Sequence, residues 1–483
     1  MKKPGDFTLR LIALFSGIAI ASAVAVLLLV DHSRRTLESY RSSLEERGEK
    51  LNIEDLRPPP PVREGNGARA LLDTAREINN LAKEKALRRI TWGQGMTRTP
   101  GYAEIFHQRP TAQVLAENGS KATVEEIPWA AAQANHAAVD PLLEKTRKIA
   151  QSPLLEFHPD YGAGLAAPTS GIAQLIGVSQ LLTQQTILLL HDGKVSSAVD
   201  NVSTLFRIAE MTSKQQALIS QLLSLSMIRM ASISTWEILH SKEATQAEVV
   251  RLQGLWEDIK PFTALKATLR MERATALPMF DRADDASKFV SGSSPSSFSI
   301  NDLEPALETG TWATLYRYDD ERELIVDFQA LLDHLPGPDG NWRPFLQEAD
   351  SIKKRLEDAG LSRMFSHSLS YSAMAAMGRF ASTDAVRQLC ITAIAIRRYQ
   401  LDHENALPPS LSALVPTYLA KVPLDPMDGK PLHYQPDGAG DYLLYSVGKD
   451  GVDDGGNAGG AGGKITPDFV ERIDIVWPRA EKP

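Results

Sequence analysis

"SGIAQLIGVSQLLTQQTILLLHDGKVSSAVDNVSTLFRIAEM", residues 170–211, decides how the bulk of the chain is read. Ile172, Leu175, Ile176, Leu182, Ile187 and Leu190 share one face of a helix with 3.6 residues per turn. "HDGK" at 191–194 interrupts the run, and Gly193 is placed to take the left-handed conformation that ends a helix. A second stripe follows at Ala198, Val202, Leu205, Phe206 and Ile208, so the stretch predicts an αα-hairpin. "QQALISQLLSLSMIRMASISTWEILH", 215–240, is apolar around so much of its circumference that it predicts a helix buried between neighbours. "ATQAEVVRLQGLWEDIK", 244–260, then opens with Thr245 as N-cap and Glu248 three residues on, the pattern of a capping box. The tetratricopeptide consensus is absent, so the expectation is an irregular array of helical hairpins, and 66–285 reads as helical throughout.

The 483 residues exceed a single ordinary core, and 43% hydrophobic with 23% charged residues describes a globular chain. A formal charge of −8 leaves no broad basic surface, which argues against nucleic acid as a partner. Cys390 is the single cysteine, so neither an intramolecular disulfide nor a cysteine-based zinc cluster is available. Its setting in "RQLCITAIAI" predicts a buried structural thiol.

"LIALFSGIAIASAVAVLLLV", 11–30, carries no charge over a length sufficient to cross a bilayer as a helix. "ASAVA" at 21–25 offers a signal-peptide cleavage pattern, but the apolar run continues through Leu27, Leu28, Leu29 and Val30. The reading is an uncleaved single-pass anchor. Lys2, Lys3 and Arg10 precede the span, while Arg34, Arg35 and Arg41 follow it. The short basic start before a large remainder favours a bacterial cytoplasmic membrane with the bulk of the chain outside the cytoplasm.

The expected organisation is a cytoplasmic stub and anchor over 1–30, followed by a stalk and Pro-rich linker over 31–65. The linker is marked by "RPPPPVREGNG" at 57–67, where consecutive prolines remove backbone donors. A helical domain over 66–364 and a long helix with a small α+β module over 365–483 complete a mainly α fold. Within that module, apolar runs at 432–434, 442–447 and 472–477, separated by Pro and Gly, predict a small antiparallel sheet.

Familiar catalytic patterns are missing: there is no HExxH, no Walker loop and no GxGxxG after a strand. "GVSQL", 177–181, lies mid-helix, where the sharp turn of a nucleophile elbow cannot form. "YDDERE", 318–323, reads as a solvated helix start whose carboxylates complement the helix dipole. "LRMERATALPMFDRADD", 269–285, with Glu272 and Asp281, reads as Arg–Glu pairing between helices. "FHPDYGAG", 157–164, gathers His158, Asp160 and Tyr161 in a loop, so an envelope hydrolase using His158, Asp160 and Glu272 stands as an alternative function.

"YSVGKDGVDDGG", 445–456, crowds Asp450, Asp453 and Asp454 among four glycines. Like charges repel unless a cation gathers them, and calcium takes six to eight hard oxygens in flexible geometry. The loop is not an EF-hand, because the spacing differs and no Glu closes it. The Val447 carbonyl adds an oxygen of the right kind, while a mobile acidic hairpin stands as the other reading.

Two stretches carry a resemblance. "KKPGDFTLRL" at the N-terminus resembles the leader and start of type IV prepilins and pseudopilins, with Arg10 where that family places a Glu. "RRYQLDHENALP" is similar to the end of the long helix in the type II secretion major pseudopilin. Asp425-Pro426, Gly429-Lys430-Pro431 and the run from Tyr445 to Gly451 then follow in that family's order, over about 85 residues. The resemblance implies a pseudopilin-like C-terminal module with a calcium loop, to which Asp474 returns as a downstream Asp does in the family. It also implies a link to a secretion or pilus-like system, with a pseudopilin subunit as a further alternative. Over 300 helical residues stand between anchor and module, against one continuous pilin helix. The leading expectation is therefore a non-enzymatic, membrane-anchored protein with protein partners and a calcium-binding loop.

Overall fold

A computed structural model describes residues 6–85, 87, 89–90, 102–118, 121–157, 161, 170–260, 262–281, 310–337, 340–357, 360–438, 440–458 and 474–480. The described residues are mainly helical, with small sheets, and they divide into two compact units.

The first unit gathers Met1–Arg57, Leu269–Asp333 and Glu348–Met374. Its leading helix α1 (Asp6–Glu46) runs unbroken for 41 residues, about 60 Å at 1.5 Å per residue. The apolar half is bare, with Leu14, Phe15, Leu27 and Leu28 at least 60% exposed. The second half is packed: Leu37 and Leu44 are buried, so residues 31–46 form part of a core instead of a free stalk. α1 lies against α11 (Arg317–Asp333), which presents Leu324, Ile325, Phe328 and Leu331 to the same interior. Buried charges in this unit are paired, because an isolated ion out of water is costly. From α10 (Leu265–Asp281), Arg273 is fully buried and donates to Glu49 Oε2 at 3.0 Å and Gln329 Oε1 at 2.7 Å. Arg270 donates to the same Glu49, so the Arg–Glu pairing seen here runs through Glu49, past the end of α1, and not through the Glu272 and Asp281 of the sequence expectation. On α11, Asp327 meets Arg363 and Arg355.

"YDDERE" departs from its expected role. Asp320 is fully buried and accepts from the Trp312 indole at 2.8 Å and the Phe365 N–H at 2.9 Å. Ser366 N–H adds a third donor at 3.1 Å, and Glu321 is buried against Arg41. The cluster is solvated only in part: Asp320 satisfies the first N–H groups of the next long helix, whose donors have no partner inside their own helix.

The second unit gathers Pro58–Thr268, His334–Gln347 and Ala375–Pro483. The expected hairpin is α6 (Ser170–His191) and α7 (Val195–Ser213), joined through Gly193 at φ 72°. α8 (Leu218–Leu239) packs on both, and α9 (Gln246–Asp258) opens with the predicted Thr245–Glu248 capping box. Among the described residues, three helices are long and apolar enough to cross a membrane, but the apolar windows of α6 and α8 are 67% and 50% buried against 0% for α1. Burial leaves α1 as the membrane-spanning candidate. Cys390 is fully buried on α13 (Met364–Asp402), where burial pushes its thiol pKa up.

The helical reading of 66–285 needs correction at 89–90, 102–103, 112–118 and 121–127, which are strands. β3 (Ala112–Asn118) and β4 (Lys121–Ile127) form an antiparallel hairpin with Asn118 opposite Lys121, and β1 (Arg89–Ile90) pairs with β3. The reason is legible in retrospect: "AQVLAEN" and "KATVEEI" alternate with period two around the dipeptide Gly119-Ser120. Ala112 and Val114 turn inward to meet Trp129, Ile187 and Leu188.

At the C-terminal end the antiparallel sheet expected from sequence is present. β5 (His433–Pro436) pairs with β6 (Tyr442–Ser446), and β6 pairs with β7 (Ile475–Val476). A further strand, β8 (Arg479–Ala480), runs parallel to β2 (Tyr102–Ala103).

Candidate functional site

The acidic loop leaves β6 at Ser446, and two buried aspartates hold its ends. Asp425 fixes the start. It is 1% exposed, and its Oδ1 accepts from Met427 N–H at 2.9 Å and Ser446 Oγ at 2.8 Å. Its Oδ2 accepts from Val447 N–H at 2.8 Å. Burial raises the Asp425 pKa, and these donors oppose the rise. The backbone of the same residue closes the turn, with Asp425 N–H donating to Lys430 O at 2.6 Å and Gly429 N–H donating to Asp425 O at 2.8 Å.

The loop then folds on its glycines, four of which (448, 451, 455 and 456) have φ of 70–80°. At Gly451 a side chain would also strike Arg343, whose guanidinium donates to the Asp450 carbonyl at 2.8 Å. Asp450 Oδ1 accepts from Val452 N–H at 3.0 Å, a local Asx turn. Asp453 Oδ1 accepts from Gly455 N–H at 2.9 Å and from the Tyr445 hydroxyl at 2.8 Å. Those donors hold its carboxyl below the usual aspartate range, the Gly455 N–H contributing most. Its Oδ2 stands 3.5 Å from His433 Nδ1, and the His433 ring stacks on Tyr445.

Asp474 closes the other end. It is fully buried, its N–H donates to Asn457 O at 3.1 Å, and its Oδ2 accepts from Gly456 N–H at 2.8 Å. Its Oδ1 is buried without a hydrogen-bond partner among the described residues. Burial, with the negative charges of Asp454 and Asp453 nearby, pushes its carboxyl up to about 6. A buried acceptor without a donor is costly.

Of the residues expected to hold the metal, Asp453 and Asp454 lie within electrostatic reach of Asp474. Asp450 stands at the Arg343 corner, and Val447 is tied through its N–H to Asp425. No group of three or more His, Cys, Asp or Glu side chains placed to hold a metal ion occurs among the described residues. The donor set still fits a hard cation: all the oxygens are carboxylate or backbone carbonyl, and one is buried and unpaired among the described residues. Sequence reading quoted Asp425 only as part of a turn and gave no role to Arg343, which lies 107 residues before Asp450.

Other clusters that resemble catalytic sets are internally satisfied. His107 and Glu237 form a buried pair at 2.5 Å, Glu237 also accepts from Phe106 N–H, and His107 Nε2 faces the Gln108 side-chain nitrogen at 3.4 Å. Tyr161 is buried, its hydroxyl accepting from Gln216 N–H at 3.1 Å. His158 and Asp160 lie outside the described residues. A basic pocket between α5 (Asp140–Ala150) and α7 has its arginines engaged: Arg147 holds Glu144, Gln185 and Asn201, and Arg251 holds Asp200. No family model, curated protein or solved structure matches the chain.

Proposed function

We propose that the chain is a non-enzymatic protein of the bacterial cytoplasmic membrane, held by α1, whose C-terminal module is completed by a calcium ion. The observation that carries this reading is the buried Asp474 Oδ1, unpaired among the described residues and within electrostatic reach of Asp453 and Asp454. Without a cation the module holds that oxygen only by keeping the carboxyl largely protonated, or by bearing an uncompensated charge. Calcium replaces the proton, draws on oxygens of Asp453, Asp454 and Asp474, and stiffens a loop built on glycines. The order of long helix, Pro-Asp turn, sheet and Asp-Gly loop supports the pseudopilin-like reading of this module and, through it, a place beside a secretion or pilus-like system. The bulk of the chain faces out of the cytoplasm, where abundant calcium fills even a weak site.

Calorimetric titration of the full chain in detergent tests this. Calcium binds with one-to-one stoichiometry at micromolar to millimolar Kd, and Asp474→Asn removes the binding. Heat unchanged from buffer at millimolar calcium sinks the metal from the account.

A further inference from the structure

The membrane-anchoring helix carries a stripe that continues into its apolar half. Val26, Val30, Ser33, Leu37, Tyr40 and Leu44 of α1 recur at alternating four- and three-residue steps, the seam along which helices pack. Leu37 and Leu44 are fully covered. Val26 and Val30 are partly covered, although Val24, Leu27, Leu28 and Leu29 around them are 48–68% exposed. Polypeptide therefore reaches alongside the last two turns of the apolar segment.

The neighbour is the turn that precedes α11. Ser33 Oγ donates to Asp319 Oδ2 at 2.8 Å, and Tyr318 lies within electrostatic reach of Arg34. Farther along, Arg41 pairs with Glu321, so α11 leaves Ser33 in the direction that α1 itself takes away from the apolar half. The residues before Arg317 must then run the other way, toward Val30. They form a π-helical turn, Trp312–Tyr316, which packs against α1. Seven residues from Gly310 to Tyr316 cover about 10 Å at a helical rise, whereas Ser33 is about 5 Å past Val30. The turn thus overlaps the end of the apolar segment, at the depth where a bilayer passes from acyl chains to headgroups.

Its composition suits that depth. "GTWATLYRY", 310–318, has no carboxylate, and Gly310, Thr311 and Thr314 are exposed. Tyr316 and Tyr318 are partly exposed, and the Arg317 guanidinium sits 4.5 Å over the Tyr318 ring. Tyr and Arg are the residues that settle at a membrane–water boundary, with apolar bodies and polar ends. Trp312 does different work: it is fully buried, 4.6 Å from the Phe365 ring, and its indole donates to Asp320. That contact ties the turn rigidly to the bundle.

We propose that Gly310–Tyr318 is a second membrane contact, seated in the headgroup layer of a phospholipid bilayer beside α1. The contact rests on reading α1 as the anchor. With two points of attachment the first unit cannot swivel freely on its helix, so its orientation to the membrane is fixed.

The test uses the full chain in phosphatidylcholine–phosphatidylglycerol vesicles containing lipid with a nitroxide near the headgroup. A fluorophore is placed at single introduced cysteines, the native Cys390 being fully buried. Thr314→Cys and, as a second site where an added Cβ meets nothing within 4 Å, Gly310→Cys probe the turn. Leu28→Cys reports the anchor, and Ser43→Cys reports water-exposed α1. Emission from 310, 314 and 28 falls with the nitroxide lipid while that from 43 does not. If 28 is quenched but 310 and 314 behave like 43, the second contact is overturned and the anchor stands. If 28 is unquenched as well, the anchor reading fails and the second contact falls with it.

Discussion

The turn at 425–430 and the loop at 447–458 belong to one small sheet, and each depends on a buried aspartate. Asp425 has both oxygens engaged by Met427, Ser446 and Val447, whereas Asp474 has one engaged and one orphaned. Burial raises both carboxyls, but at Asp425 three donors supplied by the fold counter the rise. At Asp474 the Gly456 N–H opposes the rise, but the charges of Asp454 and Asp453 add to it. The difference teaches that burial alone does not mark a binding site. What sets Asp474 apart is burial combined with an oxygen left unsatisfied among the described residues.

The largest effect that sharpens this contrast is expected at the satisfied corner. Asp425→Ala strands Ser446 and Val447 and destabilises by about 3 kcal/mol or more, since each buried unmet donor costs roughly 1–3 kcal/mol. Chemical denaturation measures it, and the loss is the same in calcium and in chelator. Asp474→Asn behaves oppositely. Calcium at a hundredfold excess over Kd stabilises the native chain by about 2.7 kcal/mol, and the variant loses that increment with little change in chelator. An Asp425→Ala variant whose loss appears only in calcium breaks the comparison.

A smaller effect is read in pH. The folded Asp474 carboxyl at about 6 lies above an unfolded value near 3.9, so the stability due to its protonation is full below the unfolded value and is lost as pH rises through 6. Calcium takes the proton's place above 6, and the calcium-dependent increment shrinks as pH falls through 6. Asp384, buried and with its carboxyl also pushed up to about 6, titrates in the same window. The quantity to follow is therefore the difference between calcium and chelator at each pH. An increment that is flat from pH 7.5 to 5 contradicts the role given to Asp474. The smallest effect is Tyr445→Phe, which removes the hydroxyl on Asp453 and costs about 1 kcal/mol or less in denaturant unfolding.

Local signals carried much of the fold. The αα-hairpin through Gly193, the Thr245–Glu248 capping box, the long helix ending at Asp402 and the C-terminal strands all follow from patterns within a dozen or so residues. The hairpin at 112–127 carried the same kind of signal, but its alternation is short and sits inside a helical context. What remained illegible depends on distant partners. Acidic residues at a helix start look alike whether solvated or buried, and Asp320 is buried because Phe365 and Ser366 come to it from 45 and 46 residues away. The covered half of α1 is similar, since the residues that bury Leu37 and Leu44 come from beyond residue 268 in a unit assembled from three stretches. Within the loop, spacing grouped Asp450 with Asp453 and Asp454, and only the fold reveals Arg343 at its carbonyl and Asp474 as the buried member.

The most direct test of the central claim is thermal unfolding of the full chain in detergent at pH 7.5, with millimolar calcium and then with chelator. The expected result is a higher Tm in calcium, no such shift with magnesium, and no shift in Asp474→Asn. Identical Tm values in calcium and chelator for the native chain would contradict it.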